Sequence, residues 1–405
     1  MDSTEPIRSR HRITRRWCVP PVLLRASSET LDGSPILDEF TGDEADLGVF
    51  LWQAVRDVLL WAMAPPGERA GLFGPKGVEW RRALLGPLGG DPRVAPAVGG
   101  LLDVVERPGS IEEDVVSRTC LRVAQWARSR GASGTALWFA QAGALSTPRG
   151  GPAALEAGRI AAAGGDDVRA EAWLRRAIGL SRRAGDWIAY THAFIVLAEL
   201  ASERGHDARA RRHYLRAIRM ARRRGLRESR ARAAHGLIRI MARAGDFAGA
   251  ERAAVVARRN YGAEHARVPA LTRDIARLWI ESGQHARARD ALTRIRQQQG
   301  EPEERMQVLA LSARALADGG AGGRTSFNEA FGGAWDLARD SAVGAARNEA
   351  VRDLALAALS AGDPRLAERV AQLVGAPFSF RSDLEDQVRR IIDAISDRRR
   401  PAEAR

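Results

Sequence analysis

The chain has 405 residues, a 45% apolar share, and a net charge of +13 in which Lys76 is the only lysine among 63 basic residues. Ala, Arg, Gly and Leu dominate while Thr and Tyr are scarce, which favours helices and excludes a large sheet. Two cysteines, Cys18 and Cys120, far apart and outside any CxxC, exclude a disulfide framework or a structural zinc site, and no apolar run is long and uninterrupted enough to cross a membrane.

Residues 1–46 read as a disordered tail, basic at first (RSRHRITRR) and acidic from Glu29 to Asp46, with too few large apolar residues to offset the entropy of ordering. Residues 14–24 loosely resemble a twin-arginine leader. Their apolar stretch is short, broken by Pro20 and Pro21 and stopped by Arg25, so a cytoplasmic protein is expected. From Leu47 the apolar residues recur at three- and four-residue steps through Phe50, Leu51, Ala54, Val55 and Val58. That is a buried helix, although Gln53, Arg56 and Asp57 interrupt its middle. Residues 68–108 read as two or three shorter helices broken by Gly and Pro. Residues 47–108 together form an N-terminal helical cap.

A repeat follows. GDDVRA, GHDARA, GDFAGA, GQHARA and GDPRLA are each a glycine stop, a polar turn and a new helix. Thr135, Ala170, Ala210, Ala250, Ala288, Ala330 and Ala367 serve as markers and fall 35 to 42 residues apart, which is a helical repeat array. Asp166, Asp246 and Asp363, each just after the glycine, are placed to cap the next helix. A final helix near residues 382–397 reads as the C-terminal cap, within a segment of residues 379–405.

The array resembles the tetratricopeptide repeat (TPR) family. The residues that carry the likeness are a small residue, a large one four later and a small one three after that: Ala170, Leu174, Ala177; Ala210, Tyr214, Ala217; and Ala250, Ala254, Ala257. Phe194, Leu197, Ala198 and Ala201, then Leu237, Ile238 and Met241, supply the first helices. The likeness covers residues 111–378, about seven helix pairs, with a period longer than the family's 34 residues. It implies an all-α fold, an α–α superhelix, whose first helices line a concave groove and which binds proteins instead of catalysing a reaction.

No sequence pattern for catalysis, a metal or a cofactor stands out. GGAGGR at residues 319–324 lacks both the spacing and the lysine of a phosphate loop. The uneven signal is charge: residues 201–260 hold 17 arginines against five acidic residues. Arg232, His235, Arg239 and Arg243 recur at three- and four-residue steps on one first helix, making one stripe. Arg159, Arg273 and Arg277 extend that lining in neighbouring repeats. Arginine is the residue for bidentate contact with carboxylates, so the expected partner is an acidic protein or peptide. The carboxylate clamp of chaperone-binding TPR domains is not carried over, because it needs Lys and Asn as well. Nucleic acid is the alternative partner, through the basic helix of residues 209–224 and the basic tail. No cofactor and no membrane partner is expected, and no oligomeric state follows from the sequence.

Overall fold

Many helices in this chain end where a glycine enters the left-handed region, which a Cβ would make costly. The next residue's N–H then reaches back to the carbonyl five residues earlier and satisfies the end of the helix. Gly165, Gly185, Gly205, Gly225 and Gly245, at 20-residue intervals, all have φ between 68° and 76°. Asp166, Asp186, His206, Leu226 and Asp246 make the closing bonds, to Ala161, Ser181, Ala201, Ala221 and Met241 at 2.8–3.0 Å. Gly131, Gly283 and Gly362 repeat the device.

The structure, a computed structural model, describes residues 34–85, 95–296, 301–320, 323–342, 344–363, 366–367 and 369–370. They fall into two compact units, residues 1–200 and 201–405. The first unit holds α1 (Pro35–Glu39), α2 (Ala45–Met63), α3 (Pro75–Leu85), α4 (Ala95–Glu106), α5 (Glu113–Ser129), α6 (Ser133–Leu145), α7 (Gly151–Ala163), α8 (Asp167–Ala184) and most of α9 (Trp187–Glu203). Short 3-10 turns lie at Gly42–Glu44 and Pro66–Gly71. The second unit holds α10 (Asp207–Arg223), α11 (Arg227–Arg243), α12 (Phe247–Tyr261), α13 (Val268–Glu281), α14 (His285–Arg296), α15 (Pro302–Asp318), α16 (Arg324–Asp340) and α17 (Ala345–Ser360). Among the described residues there is no strand, and none of their helices is long and apolar enough to cross a membrane.

Within each unit, helices adjacent in sequence pack on one another: α5 on α6 and α7 on α8 in the first, α11 on α12, α13 on α14 and α15 on α16 in the second. First helices also stack on first helices, α11 on α13, α13 on α15 and α15 on α17. This explains why α15 is apolar on two sides. Val308, Leu311 and Ala315 meet Ala276, Ile280, Ala288 and Leu292, while Met306, Leu309, Ala310 and Ala313 meet α16 and α17. The marker residues Ala170, Ala210, Ala250, Ala288, Ala330 and Ala367 are all completely buried, so helix pairs approach closely there. The first copy is corrected by one position. Counting five residues from the turn glycine, as in the other regular copies, gives Ala136, also fully buried. Thr135 is buried too, but its hydroxyl has no hydrogen-bond partner among the described residues.

The predicted caps form. Asp166, Asp246 and Asp363 accept hydrogen bonds from the N–H groups of Arg169, Gly249 and Leu366 at 3.0, 2.7 and 3.0 Å. Asp186 does the same for Ala189 at 3.0 Å. At α6 the cap residue is Ala132, which has no acceptor to offer. Glu39 supplies one from a distant part of the chain, its two carboxylate oxygens taking the N–H groups of Gly134 and Thr135 at 2.7 and 2.8 Å.

That contact corrects part of the tail reading. Residues 34–46 are ordered: Ile36 and Phe40 are buried, and Phe40 stacks on Trp126 with ring centroids 5.8 Å apart. Glu44 pairs with Arg130, whose guanidinium lies over both rings. Two anchors spaced four apart and one carboxylate fix a segment whose composition alone reads as solvated. Residues 1–33 and the expected C-terminal capping helix lie outside the described residues. Replacing Glu39 by alanine frees two N–H groups at the positive end of α6. It is expected to lower stability by about 1–2 kcal/mol in urea unfolding of the full chain, with Glu39→Gln recovering part of the loss.

Candidate binding pocket of the second unit

The arginine stripe lies on α11, and residues of α13 and α17 lie beside it. The three helices enclose a small pocket, with a cavity volume of about 90 Å³. Arg239 and Arg243 enter from α11, Asp274 and Arg277 from α13, and Glu349 and Arg352 from α17. Three of the residues predicted from sequence, Arg239, Arg243 and Arg277, therefore meet at one place.

They do not meet as unpaired donors. Arg243 holds Asp207 with two bonds of 2.9 and 2.5 Å and reaches the Ser202 hydroxyl at 2.8 Å. Arg277 donates to Asp353 Oδ2 at 2.9 Å and to Glu349 at 3.3 Å. Arg314 takes the other oxygen of Asp353 at 3.1 Å, with Arg352 at 3.4 Å. The carboxylate of Asp353 is thus completely buried among three guanidiniums. Burial opposes its charge, but the field of Arg277, Arg352 and Arg314 prevails and holds its carboxyl down to about 2. For Arg277 burial likewise opposes the charge, and Asp353, Glu349 and Asp274 outweigh it, raising its pKa further above the ordinary value.

Two pocket arginines keep substantial exposure. The Arg239 side chain is 48% exposed, and its contact with Glu349 is a loose 3.7 Å. The Arg243 side chain is 41% exposed despite its pairing. The Nε groups of Arg277 and Arg352 are buried with no acceptor among the described residues.

His235 faces α13 and sits 2.9 Å from Asp274 Oδ2, edge-on to Tyr261. Burial raises the Asp274 pKa, but the bond to His235 and the nearby charges of His235, Arg277 and Arg273 win and hold it below the usual carboxylate range. Arg273, largely buried, is 3.8 Å from Asp274. Arg232 is half-buried, near enough to act on the Tyr261 phenol, although burial dominates there and raises that pKa. None of these three lines the pocket. Arg159 belongs to the first unit, where it lies 3.8 Å from Glu156, a carboxylate also held by Arg128 at 2.8 Å.

The acidic side of the pocket is the part that sequence reasoning missed. Only Asp207 lies inside the arginine-rich window; Asp274 comes from two helices beyond α11, and Glu349 and Asp353 from six. A signal was available in α17, where Glu349, Arg352 and Asp353 share one face at steps of three and four.

No family model and no curated protein matches the chain. Among solved structures the chain is similar to BtubC from P. vanneervenii, at 17% identity and a TM-score of 0.42, over 56% of this chain and 91% of that one. It is similar to a Rap protein complexed with Competence and Sporulation Factor, at 11% identity and a TM-score of 0.46, over 84% and 99%. Yeast Tom70 is similar at 12% identity and a TM-score of 0.36, over 95% and 78%. These likenesses stop at helical architecture. The class rests on the chain's own geometry: paired helices, first helices stacked on first helices, and fully buried small residues in register make this a TPR-like helical-repeat protein.

Proposed function

We propose that this chain is a non-catalytic interaction scaffold, and that the pocket between α11, α13 and α17 binds an acidic peptide or protein segment. The observation that carries the reading is the surplus of donors. Arg239 keeps half its side chain exposed and holds Glu349 only at 3.7 Å, beyond hydrogen-bond reach. That contact is cheap to give up, and an incoming carboxylate gains a charge-assisted bond in its place. The walls are mixed in charge, because Glu281 and Glu349 stand among the arginines. A partner segment with one or two carboxylates suits them better than a polyanion does.

Arginines on the exposed face of α10, among them Arg211, Arg212, Arg219, Arg222 and Arg223, favour nucleic acid as the second reading. One experiment separates the two. Wild type and an Arg239→Glu variant are used to capture partners from native lysate, with and without nuclease, and a photo-crosslinker is placed at Ala242 or at the exposed Val255. The expected result is a nuclease-resistant protein, held at least about tenfold less by the variant and crosslinked from position 242 but not 255. Capture that vanishes with nuclease selects nucleic acid. Equal capture by both proteins overturns the pocket.

A further inference from the structure

We propose that the helices preceding the repeats carry a separate binding site for a small monocarboxylate with an apolar body. It begins from an oddity of sequence: Gln53, Arg56 and Asp57 interrupt α2, which is otherwise apolar and largely buried. Asp57 is only 3% exposed. A buried carboxylate needs a partner, and it has one reaching across from α3. Arg81 donates through Nε to Oδ2 at 2.5 Å and through Nη2 to Oδ1 at 2.6 Å, while Gln53 adds a bond of 3.0 Å. The Arg81 Nη1 group is fixed by the Gly77 carbonyl at 2.8 Å.

For holding α2 against α3, an apolar pair of similar volume does as well or better than a buried ion pair. The pair lies against an open cleft with a volume of about 430 Å³, lined on its apolar side by Leu60, Leu72 and Phe73. That volume falls within the range of small-ligand sites, which combine apolar walls with a few fixed polar groups. Arg56 stands at its edge, exposed and stacked on Trp52 at 4.6 Å. The lining holds two guanidiniums against one carboxylate, so it has one positive charge in excess. Among the described residues, three of Arg81's five N–H donors are used. An anion with a single charge balances the lining, and Leu60, Leu72 and Phe73 receive its apolar part. Leu60 is 49% exposed, an exposed leucine that a bound chain would cover.

The site lies in the first unit and shares no residue with the pocket of the second, so the two readings fail independently. The test is calorimetric titration of the full chain with decanoate, decanol and decyltrimethylammonium. Decanoate is expected to bind one-to-one, decanol at least tenfold more weakly, and the cation without measurable heat. Arg56→Glu, a surface change outside the Asp57–Arg81 pair, should abolish decanoate binding with an unchanged melting temperature. Should that variant unfold, Arg56→Gln takes its place and should weaken decanoate at least tenfold. Binding of decanoate and decanol with equal affinity, or full binding in a folded Arg56 variant, overturns the proposal, as does no binding by wild type.

Discussion

Replacing Asp353 by asparagine is expected to destabilise the second unit by about 3 kcal/mol, although the side chain hardly changes in size. Asp353 is the one carboxylate shared by Arg277, Arg314 and Arg352, so its loss leaves three guanidiniums facing each other around a neutral amide. Removing one side of a buried ion cluster typically costs 3–5 kcal/mol. The lower end applies because the three arginine side chains keep 11%, 13% and 22% of their exposure and so retain some solvation. The measurement is denaturant unfolding of the full chain. An unchanged midpoint for the second unit's transition would mean that the cluster is spectator to stability.

The same residue sets an acid limb. Its folded carboxyl is held at about 2, below the ordinary value of an unfolded aspartate near 4. A depressed folded pKa gives stability that is complete above the unfolded pKa and is lost as pH falls through the folded one. Wild type should therefore lose on the order of 2 kcal/mol between about pH 4 and pH 2 from this group, with Asp274 adding in the same direction. In Asp353→Asn that part of the slope disappears. The variant is then less sensitive to acid than wild type while being weaker at neutral pH.

This cluster also marks where sequence reading stopped. The repeat, its turns and the Asp caps were legible because each is written within a few consecutive residues. Gly245, Asp246 and Ala250 need no knowledge of any other helix to be read. The arginine stripe was legible in the same way, from spacing on one helix. Its neutralisation was not, because Glu349 lies 72 residues from Arg277 and meets it only when α17 closes beside α13. The Glu39 cap failed to show for a similar reason. Its acceptor is 95 residues from Gly134, and Ala132 gives no hint that a carboxylate from elsewhere fills the gap. Charge counted along a window predicts surface; charge counted across stacked helices decides pairing.

Putting a methyl group at position 236 tests the stacking itself. Gly236 lies in the middle of α11, where glycine normally costs about 1 kcal/mol relative to alanine, so an isolated helix would gain from Gly236→Ala. In this protein the sign should reverse. A Cβ there would stand 2.4 Å from Tyr214 Cζ and 2.5 Å from its Cε1 and hydroxyl oxygen. Tyr214, on α10, is only 2% exposed and cannot swing away into solvent. Overpacking of this kind costs about 1–3 kcal/mol, so Gly236→Ala is expected to lower stability despite its better helix propensity. Tyr214→Ala alone opens a cavity and should cost about 3–5 kcal/mol. Combining the two puts the new methyl where the ring had been, and the double variant should be more stable than the sum of the single losses predicts by at least about 1 kcal/mol. Strict additivity would show that α10 and α11 do not meet through this pair. A positive coupling shows that the large residue of one helix is seated on a glycine of the next, where only a residue without a side chain leaves room for it.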